Sequence, residues 1–111
     1  MEENHKHNPE EVLKLFSFLS KKYTLAILYE AFHYENIRFG QLEESLPGIS
    51  SRTLSIRLTE LEENRFIDRN VSKTKPVIIS YSLTKKARDL QDVFFALGKW
   101  TLKWSKNNSK N

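Results

Sequence analysis

Residues 50–57, Ser-Ser-Arg-Thr-Leu-Ser-Ile-Arg, concentrate the side chains with the clearest chemistry: two guanidinium groups and four hydroxyls within one short stretch. Arginine can read guanine edges with two parallel hydrogen bonds or pair with phosphate, and serine and threonine can bond either bases or phosphates. Isoleucine can contact a thymine methyl. The chemistry on offer is that of groove and phosphate contacts on DNA.

A helix predicted over Ser51 to about Asn64 has to position these groups. Ser50 suits its N-cap, and Ile49 and Leu54 stand where a hydrophobic staple would bracket the helix start. On a helical wheel Leu54, Leu58 and Leu61 fall together and face a core, whereas Arg52, Ile56, Thr59 and Glu63 point the opposite way. Ser55 lies on one flank, Thr53 and Arg57 on the other. The exposed N-terminal half therefore offers Ser51, Arg52, Thr53, Ser55, Ile56 and Arg57. Its charge order is reversed: the first two turns carry no acid, while Glu60, Glu62 and Glu63 crowd the far end. A helix N-terminus favours an anion by about 0.3–1 kcal/mol per charge. The missing anion points to a phosphate supplied by a partner and held by free N–H groups and Arg52 together.

A short helix predicted over Gly40 to Leu46 precedes this one, and Pro47-Gly48 makes the turn between them. Two short helices across a tight Gly-containing turn form a helix-turn-helix. Upstream, Asn8, Pro9, Glu10 and Glu11 start a first helix, with Glu11 placed for a capping box and with Val12, Leu15, Phe16 and Leu19 on one face. A second helix, Tyr23 to about Phe32, is apolar on most sides and central to the core. Ile37 to Phe39 can add a short strand. Downstream, Phe66 to Val71 and Val77 to Leu83 read as a hairpin whose tip carries Lys73 and Lys75, with Arg69 nearby. Those cations can lie on the phosphate backbone or in a minor groove.

Thr84 caps a last helix expected to run to around Trp104. In it Phe94, Leu97, Trp100 and Trp104 continue an apolar stripe beyond any element the sequence provides to cover it. A two-fold dimer is the natural cover, and it would set two recognition helices about one DNA turn (~34 Å) apart. A pocket for an unidentified small-molecule effector is the lesser use of that surface.

With 111 residues, 39% of them apolar, the chain fills one core and not two. The organisation expected is a flexible tail over 1–7, one domain over 8–104 and a flexible basic tail over 105–111. The absence of cysteine removes disulfides, thiolate metal sites and thiol nucleophiles. No apolar run reaches the roughly 18 residues of a membrane span, and the polar start MEENHKHNPEE is unlike a secretory signal, so a cytoplasmic protein with no membrane partner is expected. There is no P-loop or dinucleotide glycine pattern, and His5, His7 and His33 have no metal-site spacing. No enzyme activity, metal or cofactor is expected. The net charge of +4 permits an anionic partner.

The string LPGISSRTLSIRLTELEENRFIDR, with YSLT at 81–84 and Lys22-Tyr23-Thr24-Leu25, closely resembles the HxlR-type branch of the MarR-like winged-helix transcription regulators. The resemblance covers roughly residues 15–100. It implies a mainly α winged helix-turn-helix of about five helices and two to three short strands, in a homodimeric prokaryotic regulator that binds double-stranded DNA. On that pattern Ser50 and its neighbours to Arg57 enter the major groove, Arg69, Lys73 and Lys75 form the wing, and the terminal helices dimerise through Val12, Phe16, Phe94, Leu97, Trp100 and Trp104. Three departures stand out. Arg65 occupies a position where the family usually has Gly, so Asn64 is expected to supply the left-handed cap. Lys85 and Ala87 replace the usual Glu and Gly. The sensing cysteine that many relatives carry near the N-terminus is missing, which excludes thiol sensing. The rival reading is a winged-helix adaptor or anti-regulator that binds a protein and not DNA.

Overall fold

The computed structural model describes residues 8–109; the tail expected over 1–7 and the last two residues of the basic tail lie outside them. Among the described residues the elements are α1 (Pro9–Leu19), α2 (Thr24–Ala31), β1 (Ile37–Arg38), α3 (Phe39–Ser45), α4 (Ser51–Glu63), β2 (Ile67–Val71), β3 (Ile79–Leu83), a single turn α5 (Lys85–Arg88) and α6 (Gln91–Ser109). This is a winged helix-turn-helix, mainly helical with a small antiparallel sheet. No helix of the described residues is long and apolar enough to cross a membrane.

Asn8 and Pro9 start α1 as expected, with Asn8 Oδ1 accepting from the Glu10 N–H at 2.9 Å and Pro9 in the first helical position, but the capping box expected of Glu11 is not formed among the described residues. Its inward stripe is Leu15, Phe18 and Leu19 rather than the expected Val12, Leu15, Phe16 and Leu19. Phe18 stacks on Phe66 with ring centroids 5.4 Å apart, which turns Leu13 and Phe16 outward and leaves Val12 half-buried. In α2, Thr24, Ile27, Leu28 and Ala31 are buried and lie at the centre of the core, while Leu25 and Tyr29 are exposed. Tyr23, expected inside this helix, precedes it in a left-handed conformation with φ 77°.

Leu42 of α3 and Leu54, Leu58 and Leu61 of α4 are buried against Ile27, Leu28 and Ile37, which fixes the angle of the helix-turn-helix from inside. Between α3 and α4, Gly48 adopts φ +90°, and a Cβ there would stand 3.6 Å from Tyr23 Oη. The turn thus requires glycine for its backbone and brings the start of α2 against it.

The sheet runs in the order β1-β3-β2, all antiparallel, with Ile37 opposite Tyr81, Arg38 opposite Ser80, and Asn70 also opposite Ser80. Ile37, Ile67 and Leu83 point into the core. The third strand begins at Ile79 rather than Val77, because Pro76 and Val77 belong to an irregular tip closed by Ser72: its N–H donates to Ile78 O at 2.9 Å, and its Oγ accepts from the Ile78 N–H at 2.8 Å.

Three features at the ends of helices differ from the sequence expectation. Arg65, not Asn64, carries the left-handed cap, with φ 63° against φ −92° for Asn64. Phe66 N–H donates to Leu61 O at 2.8 Å and Arg65 N–H to Glu62 O at 3.0 Å, a Schellman closure with Leu61 and Phe66 buried together. Asn64 Nδ2 donates to Glu60 O at 2.9 Å, which holds Asn64 in the last helical turn. The last helix is also not continuous from Thr84. Thr84 caps α5 as expected, but Leu90 N–H turns back to Ala87 O at 3.0 Å, an i to i−3 bond, before α6 begins. Arg88 Nη2 donates to Tyr34 O at 3.3 Å and anchors α5 to the domain. Beyond Trp104, where the helix was expected to stop, no Gly or Pro intervenes and α6 continues to Ser109.

Candidate nucleic-acid interface

The start of α4 is built as its sequence requires. Ser50 Oγ accepts from the Thr53 N–H at 3.0 Å and the same hydroxyl donates to Thr53 Oγ1 at 3.0 Å. Ile49 packs on the core beside buried Leu54. The inward leucines and this cap leave Ser51, Arg52, Ser55 and Ile56 exposed together, with Thr53 half-buried. Ile56 keeps 41% of its surface accessible, an exposed apolar side chain in an otherwise polar row.

Two of the residues expected to face outward are already engaged. Ser51 Oγ donates to Glu43 Oε2 at 2.6 Å, tying the first turn of α4 to α3. Arg57 is half-buried rather than exposed on the flank. Its Nε donates to Lys22 O at 2.9 Å and its Nη1 reaches Glu60 Oε1 at 3.4 Å. Lys21 Nζ meets the other oxygen of Glu60 at 3.1 Å. Arg57, Glu60, Lys21 and the Lys22 carbonyl thus clasp α4 to the junction of α1 and α2. The sequence reading placed Arg57 among the groove contacts and missed the carbonyl, which is 35 residues away and carries no side-chain signal.

In the wing, Arg69, Lys73 and Lys75 are all exposed. Arg69 stands on β2 opposite Tyr81, and the two lysines occupy the tip, where Thr74 Oγ1 donates to Ser72 Oγ at 3.1 Å. Val71 and Val77 flank that tip and are also exposed. The cations at 52, 69, 73 and 75 have no ion-pair partner among the described residues, whereas Glu62 and Glu63 sit exposed at the opposite end of α4. The surface offers exposed cations, hydroxyls and one apolar contact in the first turns of a rigidly seated helix, with a cationic loop beyond it.

The expected dimer residues divide. Phe94 packs inward, stacked on Tyr29 with centroids 6.5 Å apart and edge-on to Phe32 at 4.9 Å. Phe16, Leu97, Trp100 and Trp104 are exposed, and Val12 is half-buried. Among the described residues no group of three or more His, Asp or Glu side chains is placed to hold a metal ion.

A family model described as HxlR-like helix-turn-helix matches residues 18–109. The HTH-type transcriptional regulator YvaP of Bacillus subtilis is 36% identical over 91 residues, covering 82% of this chain and 83% of that protein. The reduced form of the transcriptional regulator YodB from B. subtilis superposes with a TM-score of 0.77 at 33% identity, covering 86% of this chain and 92% of that one. A MarR-family regulator from Enterococcus faecalis V583 gives a TM-score of 0.81 over 96% of both chains at 24% identity, a likeness of fold.

Proposed function

The chain belongs to the HxlR-like helix-turn-helix family of transcriptional regulators, and from that premise we propose that it binds a pseudo-palindromic operator as a homodimer. In this reading α4 enters the major groove. Arg52, Ser55 and Ile56 touch base edges or the nearest phosphates, and Ser50, Ser51 and Thr53 shape the first turn against the backbone. Arg57 holds α4 at its working angle. Arg69, Lys73 and Lys75 set the wing on the backbone or in the minor groove. The observation that carries the proposal is the acid-free, exposed start of α4 on an inward face of three buried leucines.

The homodimer is supported by the exposed apolar side chains of α1 and α6, which the domain itself leaves uncovered. Should the protein respond to a small molecule, the cleft of about 400 Å³ between α2 and α6, lined by Tyr29, Phe32, His33 and Phe94, has a fitting size and an aromatic wall. Titration of the protein against fragments of its own upstream region, at rising salt, tests the reading. Retardation at submicromolar protein in low salt that weakens steeply with added salt is the expected result. Absence of retardation under those conditions would favour the protein-binding adaptor instead.

A further inference from the structure

A polar hollow of about 650 Å³ opens beside the start of α3, lined by Asn36, Arg38, Gln41, Ile78 and Ser80. The strand register builds it. Arg38 is opposite Ser80 and Ser80 is opposite Asn70, so these three side chains form a row across all strands of the sheet. Side chains alternate between faces along a strand, so this row lies on the face away from buried Ile37 and Leu83. Gln41 Oε1 accepts from the Arg38 N–H at 2.8 Å and fixes the backbone from which the guanidinium projects. Asn70 Nδ2 donates to Asn36 Oδ1 at 3.2 Å, which orients the Asn36 amide and leaves its N–H donors unused. No carboxylate lines the hollow. Among the described residues the Arg38 guanidinium has neither a hydrogen-bond nor an ion-pair partner, and the residue is exposed.

The first helix of a helix-turn-helix crosses the DNA backbone while the second enters the groove. Here that first helix is α3, and Arg38 is the cation at its start. Its acids, Glu43 and Glu44, come later, and Glu43 is already bonded to Ser51. Arg38 is also paired to β3, so it joins the crossing helix to the wing. We infer that this hollow holds one DNA backbone phosphate, with Arg38 supplying the charge and Asn36 and Ser80 supplying neutral donors. The inference rests on the DNA-binding reading above and adds a contact between its two elements. A guanidinium with neutral donors beside it suits a phosphate oxygen better than a base edge, so the contact should be indifferent to sequence.

The test uses fluorescence anisotropy on a duplex selected from a random pool and on an unrelated duplex, across a salt series. Arg38→Ala should bind both several-fold more weakly and lower the salt slope by about 0.9, the value for one released counterion. Arg38→Lys, which keeps the charge, should keep the slope. Arg38→Gln serves in place of Ala if circular dichroism shows that the alanine variant does not fold. A scan of single neutral methylphosphonates through the selected duplex should find a position that weakens the wild type but not Arg38→Ala. An unchanged slope in Arg38→Ala or its stand-in Arg38→Gln, or no such position, overturns this inference while the wild type still binds. Failure of the wild type to bind any duplex overturns both readings together.

Discussion

Arg52 and Arg57 lie on one helix, five positions apart, in opposite surroundings. Arg52 is exposed with no ion-pair partner among the described residues, while Arg57 is engaged by Lys22 O and Glu60. Their substitutions should therefore separate. Arg52→Ala is expected to weaken binding to a selected operator by roughly 1–3 kcal/mol and to random DNA by much less. Equal losses on both duplexes would argue against base readout. Lys73→Ala at the wing tip should instead lower affinity similarly on every sequence and flatten the salt dependence. Arg57→Ala leaves the Lys22 carbonyl without its charged donor, and urea denaturation should show a stability loss of about 1–2 kcal/mol. An unshifted midpoint would mean that the clasp contributes nothing to holding α4.

At the scale of elements, most of what the sequence made legible is local. Cap chemistry at Asn8, Ser50 and Thr84 and the three-and-four spacing of Leu54, Leu58 and Leu61 depend on residues within one or two turns, and all of these positions behave as their patterns require. What the sequence hid depends on distant partners. The inward stripe of α1 is set by Phe66, and the clasp on Arg57 by a main-chain oxygen. Asparagine is the better intrinsic candidate for a left-handed residue, yet Asn64 bonds back to Glu60 O, and burial of Phe66 beside Leu61 puts the reversal at Arg65. The outward half of α4 was readable as a set of residue types, but its division into exposed and engaged side chains was not. A left-handed residue with a Cβ costs about 1–2 kcal/mol relative to glycine. Arg65→Gly should thus stabilise the protein by about 1 kcal/mol, part of the relief being offset by the larger backbone freedom of glycine when unfolded. Thermal or urea unfolding checks this. Destabilisation would show that the Arg65 side chain contributes more than its backbone strain costs.

For the whole molecule, the break at Asp89–Leu90 divides the C-terminal region into a part that completes the domain and a part that leaves it. Ala87 is buried and Phe94 still packs on α2, whereas Leu97 and Trp100 keep 57% and 60% of their surface accessible. Side chains of that size, with Leu102 and Trp104 beyond them and Phe16 exposed on α1, present more apolar surface than a soluble monomer ordinarily leaves uncovered. The fold of one protomer does not need them, which makes a clean test possible. The double variant Leu97→Asp, Trp100→Glu should remain folded by circular dichroism and sediment as a monomer, whereas the proposed homodimer requires the wild type to sediment as a dimer. Joining two recognition helices raises the effective concentration of the second at its half-site, so the monomeric variant should bind a two-fold operator about 10²-fold more weakly or worse. Its affinity for a single half-site should stay near that of the wild type. A variant that still sediments as a dimer would put the interface elsewhere, and a monomer with undiminished operator affinity would show that α4 works without a two-fold partner.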